Sequence, residues 1–382
     1  MMRYVIKSKN IFTEEGIVDG YIVINNKKIE AIQTGLYSGE DSVCDYHDAY
    51  IMPGFIDIHI HGGYGEDAMD ASFEGLKHLS KSLLSEGTTS FLPTTMTQSN
   101  DNIIQALQNI KNVHNDEYEG AEILGVHLEG PFISEEKIGA QNPKYVQQPN
   151  VEQLKTFQEQ SGDLIKIITF APEKEGAKEM IESFPEIIFS IGHSAATYEQ
   201  AEQAVANGAR HITHLYNGSS GFQHREPGVV GMALTNDNIH TELIVDGLHA
   251  HPASVKLAIT AKGNEKFYLI TDAMRAKGKP DGVYDLGGQA VTVKDGEARI
   301  SSGALAGSVL KMNHGLKQLL EYSGKDLSEL WRVTSLNQAI ALKIDDSKGS
   351  IKEGKDADIV ILDENFEVIS TIKSGKRYEF KL

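Results

Sequence analysis

Four histidines and two carboxylates carry the chemistry that this sequence can support. His59 and His61 stand two residues apart in Pro53-Gly54-Phe55-Ile56-Asp57-Ile58-His59-Ile60-His61. On a β-strand that spacing turns both imidazoles to one side, which suits two ligands on one metal. Two polar strand residues without a ligand are the plain alternative. Glu129 closes an apolar run in His127-Leu128-Glu129-Gly130-Pro131, and a carboxylate there needs a partner, because burying a lone charge is costly. His193 and His214 each follow an apolar run, and each alone suits a satisfied structural histidine. Taken with Glu129 they offer two imidazoles and one carboxylate, a donor set for Zn²⁺ or Fe²⁺ that leaves a coordination position open. Asp272 follows Phe267-Tyr268-Leu269-Ile270. Beside a metal-activated water it could act as general base and return the proton to the leaving group, where the alternative is an Asp capping a turn. His127 lies on the strand face of Glu129, and His211 is an odd number of residues from His214. Neither receives a role.

These residues need elements that bring them together. Apolar β-type runs at 55–61, 88–93, 123–129, 165–170, 187–192, 211–215, 242–246 and 267–271 alternate with helical stretches at 72–85, 101–112, 151–160, 176–183, 197–206 and 252–261. Eight strand–helix units predict an α/β chain folded as a (β/α)₈, TIM-like barrel, with a doubly wound open sheet as the runner-up. Such barrels place their chemistry at the carboxyl ends of the strands. Six of the eight runs deliver His, Glu or Asp there. The two chain ends read differently. Tyr4–Lys7, Tyr21–Ile24 and Lys28–Ile32 are β-rich around an Asn25-Asn26-Lys27-Lys28 turn, and 358–362 and 366–370 show buried and alternating strand patterns. The expected organisation is a small β-sandwich built from 1–52 and 346–382 around a catalytic barrel at 53–345. The Gly-, Pro- and Asp-rich segment 278–302, with its alternating Ala290-Val291-Thr292-Val293, predicts a hairpin inserted in a barrel-top loop.

Composition narrows the partners. The 382 residues include 36 Lys and Arg against 54 Asp and Glu, a formal net charge of −18. No basic footprint for nucleic acid or an anionic membrane is expected. No apolar run approaches the ~20 residues of a membrane span, and the N-terminal residues lack the apolar stretch of a secretory signal. The single cysteine, Cys44, fits a reducing, cytoplasmic setting.

The ordered set of motifs resembles the amidohydrolase superfamily. The Pro53–Gly62 segment carries that likeness. His127-Leu128-Glu129-Gly130-Pro131-Phe132, Gly192-His193-Ser194, Thr213-His214-Leu215-Tyr216-Asn217, Arg225-Glu226-Pro227-Gly228, Asp246-Gly247-Leu248-His249, Thr271-Asp272-Ala273-Met274 and Gly303-Ala304-Leu305-Ala306-Gly307-Ser308 narrow it to the N-acetylglucosamine-6-phosphate deacetylase family. The resemblance implies metal-dependent removal of the acetyl group from an amino-sugar phosphate in amino-sugar catabolism. It implies a divalent cation, zinc or iron, one or two per subunit. Glu129, His193 and His214 match the family's metal ligands, His59 and His61 offer a second site with Glu129 bridging, and Asp272 matches the acid/base. Ala140, Gln141, Asn217, Gly218, Arg225, His249, Leu305, Ala306 and Gly307 match substrate contacts. Gln141 stands where some members place a histidine. The family pattern further implies a homodimer in which Arg225 and His249 reach the phosphate from the neighbouring subunit. Two alternatives remain at this point: another amidohydrolase activity of dihydroorotase, D-aminoacylase or isoaspartyl dipeptidase type, and a noncatalytic scaffold stabilised by metal.

Overall fold

The computed structural model describes residues 3–380; the terminal residues included in the sandwich expectation at either end lie outside them. Eight short parallel strands form a curled sheet. The first, Phe55–Ile60, pairs with Thr88–Pro93, which also pairs with Glu122–Ile123. Gly125, at φ +156°, interrupts the expected third strand. Pairing resumes at Val126–Glu129 and continues through Ile165–Phe170, Ile188–Ile191, His211–Ile212, His240–Ile244 and Phe267–Ile270. Bridges Thr94↔His127 and Ile60↔Ala273 join the remaining edges. The seams fall within two residues of His59, His61, Glu129 and Asp272, so closing the sheet gathers those polar ends into one ring.

Helices cover the sheet where their apolar period predicts. Phe73–Leu83 starts at Ser72, whose side chain accepts from the Gly75 N–H, and buries Leu76, Leu79 and Leu83. That is one stripe at helical spacing. Asn100–His114 buries Ile103, Leu107, Ile110 and Val113 in the same way. Tyr198–Asn207 opens on a capping box between Thr197 and Gln200. The sequence reading gives no helix to Gly228–Thr235. That segment is apolar on all sides and has no side-chain cap, so it lacks both signals used for the others.

The chain ends share an eight-stranded, largely antiparallel sheet. Its central path runs Lys376–Glu379, Val368–Lys373, Ile359–Leu362, Tyr50–Pro53, Arg3–Thr13, Gly16–Asn25, Lys28–Thr34. Ile6, Ile11, Ile22, Ile24, Ile359 and Ile361 fill its own core. Segment 278–302 is a three-stranded meander, Gly282–Leu286, Gln289–Lys294 and Glu297–Ile300. It has one strand more than the expected hairpin because Gly287-Gly288 and Asp295-Gly296 each supply a two-residue turn with positive φ. Met96, Met274, Leu286 and Val291 pack it down at the mouth of the barrel. Among the described residues no helix is long and apolar enough to cross a membrane.

One ion pair fastens the loop that follows the eighth strand. Lys277 Nζ lies 2.7 Å from Glu86 Oε1, and both side chains are fully buried. The other Glu86 oxygen accepts from the Met312 N–H at 3.3 Å. Glu86→Gln leaves the Lys277 ammonium buried without its counter-charge, which should lower stability by about 3–5 kcal/mol in urea unfolding, whereas Glu86→Leu with Lys277→Met should recover most of it. An unchanged unfolding midpoint in Glu86→Gln would show that the pair is not what fastens the loop.

Candidate active site

The strand ends converge on the Glu129 carboxylate, whose side chain is 2% exposed. Its Oε1 lies 3.2 Å from His193 Nε2 and 3.1 Å from His214 Nε2. Its Oε2 lies 3.1 Å from His61 Nε2. The two Nε2 atoms of His193 and His214 are themselves 3.2 Å apart. Nitrogen lone pairs do not converge on each other and on a carboxylate without a cation between them, whether a proton or a metal. Three groups of side chains bring their donor atoms together at metal-ligand spacing: Glu129 with His193 and His214, His59 with His61 and Glu129, and His59 with His127 and Glu242.

The chain fixes each ring from behind. His61 Nδ1–H donates to Thr94 O at 3.1 Å, His193 Nδ1–H to Lys137 O at 2.9 Å, and His214 Nδ1–H to Asn217 O at 3.2 Å. In the neutral ring each bond keeps the proton on Nδ1 and turns the Nε2 lone pair toward the centre, the tautomer a metal requires. The backbone bends to deliver these groups. His193, His214 and Asp272 have φ of +46°, +27° and +47°, left-handed values that cost a non-glycine residue free energy and cluster at functional sites. Neighbouring glycines make room. A Cβ on Gly218 would stand 3.0 Å from His193 Nδ1, and one on Gly307 would stand 2.9 Å from Asp272 O. The Asp272 N–H donates to His59 O, and Asp272 O accepts from Ser308 N–H, both at 2.8 Å.

Charge is concentrated here. Burial pushes Asp272 up, but His59 and His61 outweigh it and hold the carboxyl down at about 2. Burial likewise opposes ionisation of Glu129, yet His59, His193 and His214 keep it well below the ordinary range. For His61, burial disfavours the cation, while Asp272 and Glu129 raise its pKa to about 10. His59 and His193 are also raised, against burial, by the same two acids. The metal-free cluster is therefore a carboxylate pair neutralised by imidazolium.

A cavity of about 340 Å³ opens above the cluster, within the roughly 300–1,000 Å³ typical of small-molecule sites. Of the residues singled out from sequence, His61, Glu129, Ala140, Gln141, His193, His214, Asn217, Gly218, His249, Asp272, Leu305 and Gly307 line it. His59 is fully buried and does not line it, and Ala306, between Leu305 and Gly307, is buried as well. Gln141 is committed to the cluster: its Nε2 donates to Glu129 Oε2 at 2.6 Å and its Oε1 accepts from Thr97 N–H at 2.7 Å. His249 lines the cavity of its own chain, with Nδ1 donating to Asp246 Oδ2 at 2.7 Å. Arg225 stands exposed and does not line the cavity. His127 only fills the interior, as the sequence leaves it: Nδ1–H donates to Ile58 O at 3.0 Å, and Nε2 accepts from the Thr169 hydroxyl at 2.7 Å.

Some side chains at the site were not singled out from sequence, among them Met96, Leu286, Arg299 and Glu242. Met96 and Arg299 line the cavity, and nothing in their local pattern marks them. Glu242 is fully buried, with Oε2 2.9 Å from His59 Nδ1. Its signal was available, since an acid inside the apolar strand Thr241-Glu242-Leu243-Ile244 must find a partner.

The donors fit a divalent cation, because imidazole Nε2 atoms and a carboxylate converge at metal-ligand spacing. Ligation requires neutral imidazoles, so metal must displace the protons that His59, His61 and His193 hold. Metal uptake near neutral pH should release protons, and affinity should rise about tenfold per pH unit for each proton released. Zinc titrations between pH 6 and pH 8, with proton release read by calorimetry in two buffers, check this; a pH-independent affinity contradicts it.

Comparison with known proteins agrees with this geometry. The family model described as "Amidohydrolase family" matches residues 50–378. The chain is 48% identical over 380 residues to the N-acetylglucosamine-6-phosphate deacetylase of Bacillus subtilis (strain 168), covering 97% of this chain and 96% of the relative. The crystal structure of N-acetylglucosamine-6-phosphate deacetylase from Pasteurella multocida superposes with a TM-score of 0.94 at 32% identity, over 99% of this chain and all of that one. A Mycobacterium smegmatis deacetylase variant in complex with N-acetyl-D-glucosamine-6-phosphate gives a TM-score of 0.94 at 26% identity, over 99% of both chains. With a family model spanning most of its length and a relative this similar from end to end, the chain belongs to the amidohydrolase family, among the N-acetylglucosamine-6-phosphate deacetylases.

Proposed function

We propose that this chain hydrolyses the acetamide of N-acetyl-D-glucosamine 6-phosphate to D-glucosamine 6-phosphate and acetate. The observation that carries the reading is the meeting of Glu129, His193 and His214 at the floor of a cavity with Asp272 beside them. A divalent cation held by those three residues, with His59 and His61 offering a second position, would supply a Lewis acid and an acidified water. The rest of the mechanism belongs to the chain. Asp272 Oδ1 lies 3.2 Å from His61 Nε2, and the carboxyl stays ionised through the physiological range. It takes the proton from the attacking water and returns it to the sugar nitrogen as the C–N bond breaks. Gln141 holds Glu129 in place, and the cavity wall at Asn217, Gly218, Leu305 and Gly307 seats the sugar.

The phosphate poses a separate problem, because a chain of net charge −18 repels it. His249 reaches the cavity within its own chain. Arg225, whose forked guanidinium suits phosphate oxygens, would come from a second copy. Phe222 and Leu248, close to Arg225 and His249 in sequence, expose 61% and 41% of their surface, apolar side chains that a second copy would cover. The proposed protein is thus a homodimer acting on a small anionic sugar in the cytoplasm, with residues 1–52 and 346–382 as a supporting domain to the 53–345 barrel.

Acetate release tests the activity. The phosphorylated sugar should be hydrolysed, and acyl-amino acids, dihydroorotate and isoaspartyl dipeptides should not; turnover of any of those in its place overturns the reading. Asp272→Asn keeps the shape and removes the base, so kcat should fall by roughly 10²–10⁴-fold, and near-normal turnover would remove Asp272 from its role.

The shared phosphate site has its own check. Arg225→Ala should raise KM for the phosphorylated sugar and lose about tenfold to a hundredfold in kcat/KM, the worth of a charge-assisted hydrogen bond. Mixing Arg225→Ala subunits with Asp272→Asn subunits should restore one intact site per heterodimer. If the subunits exchange and no activity returns, phosphate capture lies within one chain.

A further inference from the structure

The four histidines of the cluster are not held alike. His61, His193 and His214 direct Nδ1 at backbone carbonyls, whereas His59 directs Nδ1 at the carboxylate of Glu242, 2.9 Å away. His59 and Glu242 are both fully buried. His59 Nε2 has no hydrogen-bond partner, although Glu129 Oε1 and Asp272 Oδ1 stand 3.6 and 3.5 Å from it. A buried nitrogen left over in this way, between two carboxylates, points at the place of a cation.

The third donor group, His59 with His127 and Glu242, does not make a metal site of its own. Both ring nitrogens of His127 are engaged, with Ile58 O and the Thr169 hydroxyl. Thr169 is held in turn by Thr213 at 2.7 Å, and Thr213 by Ser190 at 2.6 Å. His127 has no lone pair to give. What remains of that group is a carboxylate behind an imidazole whose far nitrogen is free.

We propose that Glu242 is a positioning residue that holds His59 in its Nδ1–H tautomer and aims Nε2 at a second metal ion, next to the one on Glu129, His193 and His214. A carboxylate behind a ligating imidazole fixes its orientation and makes it a stronger donor than a carbonyl does. Glu242 Oε1 has no partner and is sealed from water. The acid is therefore only partly compensated by His59, and a cation beyond the ring completes the compensation. Backbone support alone would ask less of this residue: its contact with the His214 N–H is long, at 3.4 Å, and a neutral amide could make it equally well.

The inference rests on the two-ion reading of the site. Its test is metal content of the full-length protein in zinc-buffered solution, comparing parent, Glu242→Gln, His59→Asn and the double variant. The parent should hold two ions per chain. Glu242→Gln, which keeps the shape and loses the charge, should weaken the second ion by about 10–100-fold and leave the first unchanged. The double variant should bind the second ion no more weakly than His59→Asn. Two ions bound at parental affinity in Glu242→Gln overturn this inference alone. One ion in the parent overturns it together with the two-ion reading, and equal loss of both ions in the variant assigns Glu242 to the fold instead. Should Glu242→Gln not fold, ¹⁵N spectra of histidine-labelled, zinc-loaded parent decide the matter. His59 should show a protonated Nδ1 and a ligating Nε2, and ligation through Nδ1 contradicts the proposal.

Discussion

A carboxylate taken out of water is the constraint on which the rest of this structure depends. Glu129 sits in the mouth of the barrel with 2% of its side chain exposed, and an isolated charge there would be heavily penalised. Three imidazoles within about hydrogen-bonding distance of its oxygens, and a fourth just beyond, compensate it. Those rings must arrive from separate strands with the correct nitrogen forward. Backbone carbonyls of Thr94, Lys137 and Asn217 and the carboxylate of Glu242 decide which nitrogen that is. The left-handed backbone at His193, His214 and Asp272 is the local strain of that convergence. The closed sheet and the Lys277–Glu86 pair supply the rigidity that maintains it.

Electrostatics also set what the site can accept. The whole chain is strongly acidic, and the centre of the site adds Glu129 and Asp272. Only cations belong at the floor, and an anionic ligand must carry its charge toward the rim. There, Arg299 and His249 line the cavity, while Arg225 stands outside it on an exposed loop. One chain thus holds the reaction centre and a weak anion pole. The exposed Phe222 lies close in sequence to Arg225, the residue that a second chain would lend. Floor and rim have opposite electrostatic tasks, and the assembly proposed above completes the rim with Arg225 of a second copy.

Much of this could be read from the sequence, for physical reasons. Strands 88–93 and 165–170 match the structure residue for residue, because both short segments are rich in β-branched and aromatic residues. His59, His61, Glu129, His193, His214 and Asp272 stood out because each ends an apolar β-type run with a group that is costly to bury. Glu242 escaped notice because it lies within its strand, where the reading attended to the ends. Arg299 and Met96 reach the cavity through the meander and a loop, and their position depends on tertiary packing that no local period encodes. The helix at Gly228–Thr235, apolar all round and uncapped, has neither of the signals that revealed the others. The cross-subunit placement of His249, taken from family resemblance, differs from the single chain, where the Asp246 side chain already folds that histidine back over its own cavity.

The central claim is that the buried histidine–carboxylate cluster holds a divalent cation without which the amide is not cleaved. Its most direct measurement is acetate release from N-acetyl-D-glucosamine 6-phosphate by chelator-stripped protein, titrated with zinc or ferrous iron while bound metal is counted. The account predicts negligible turnover in the stripped protein and activity that rises in step with occupancy. Full turnover by protein shown to be free of metal would contradict it.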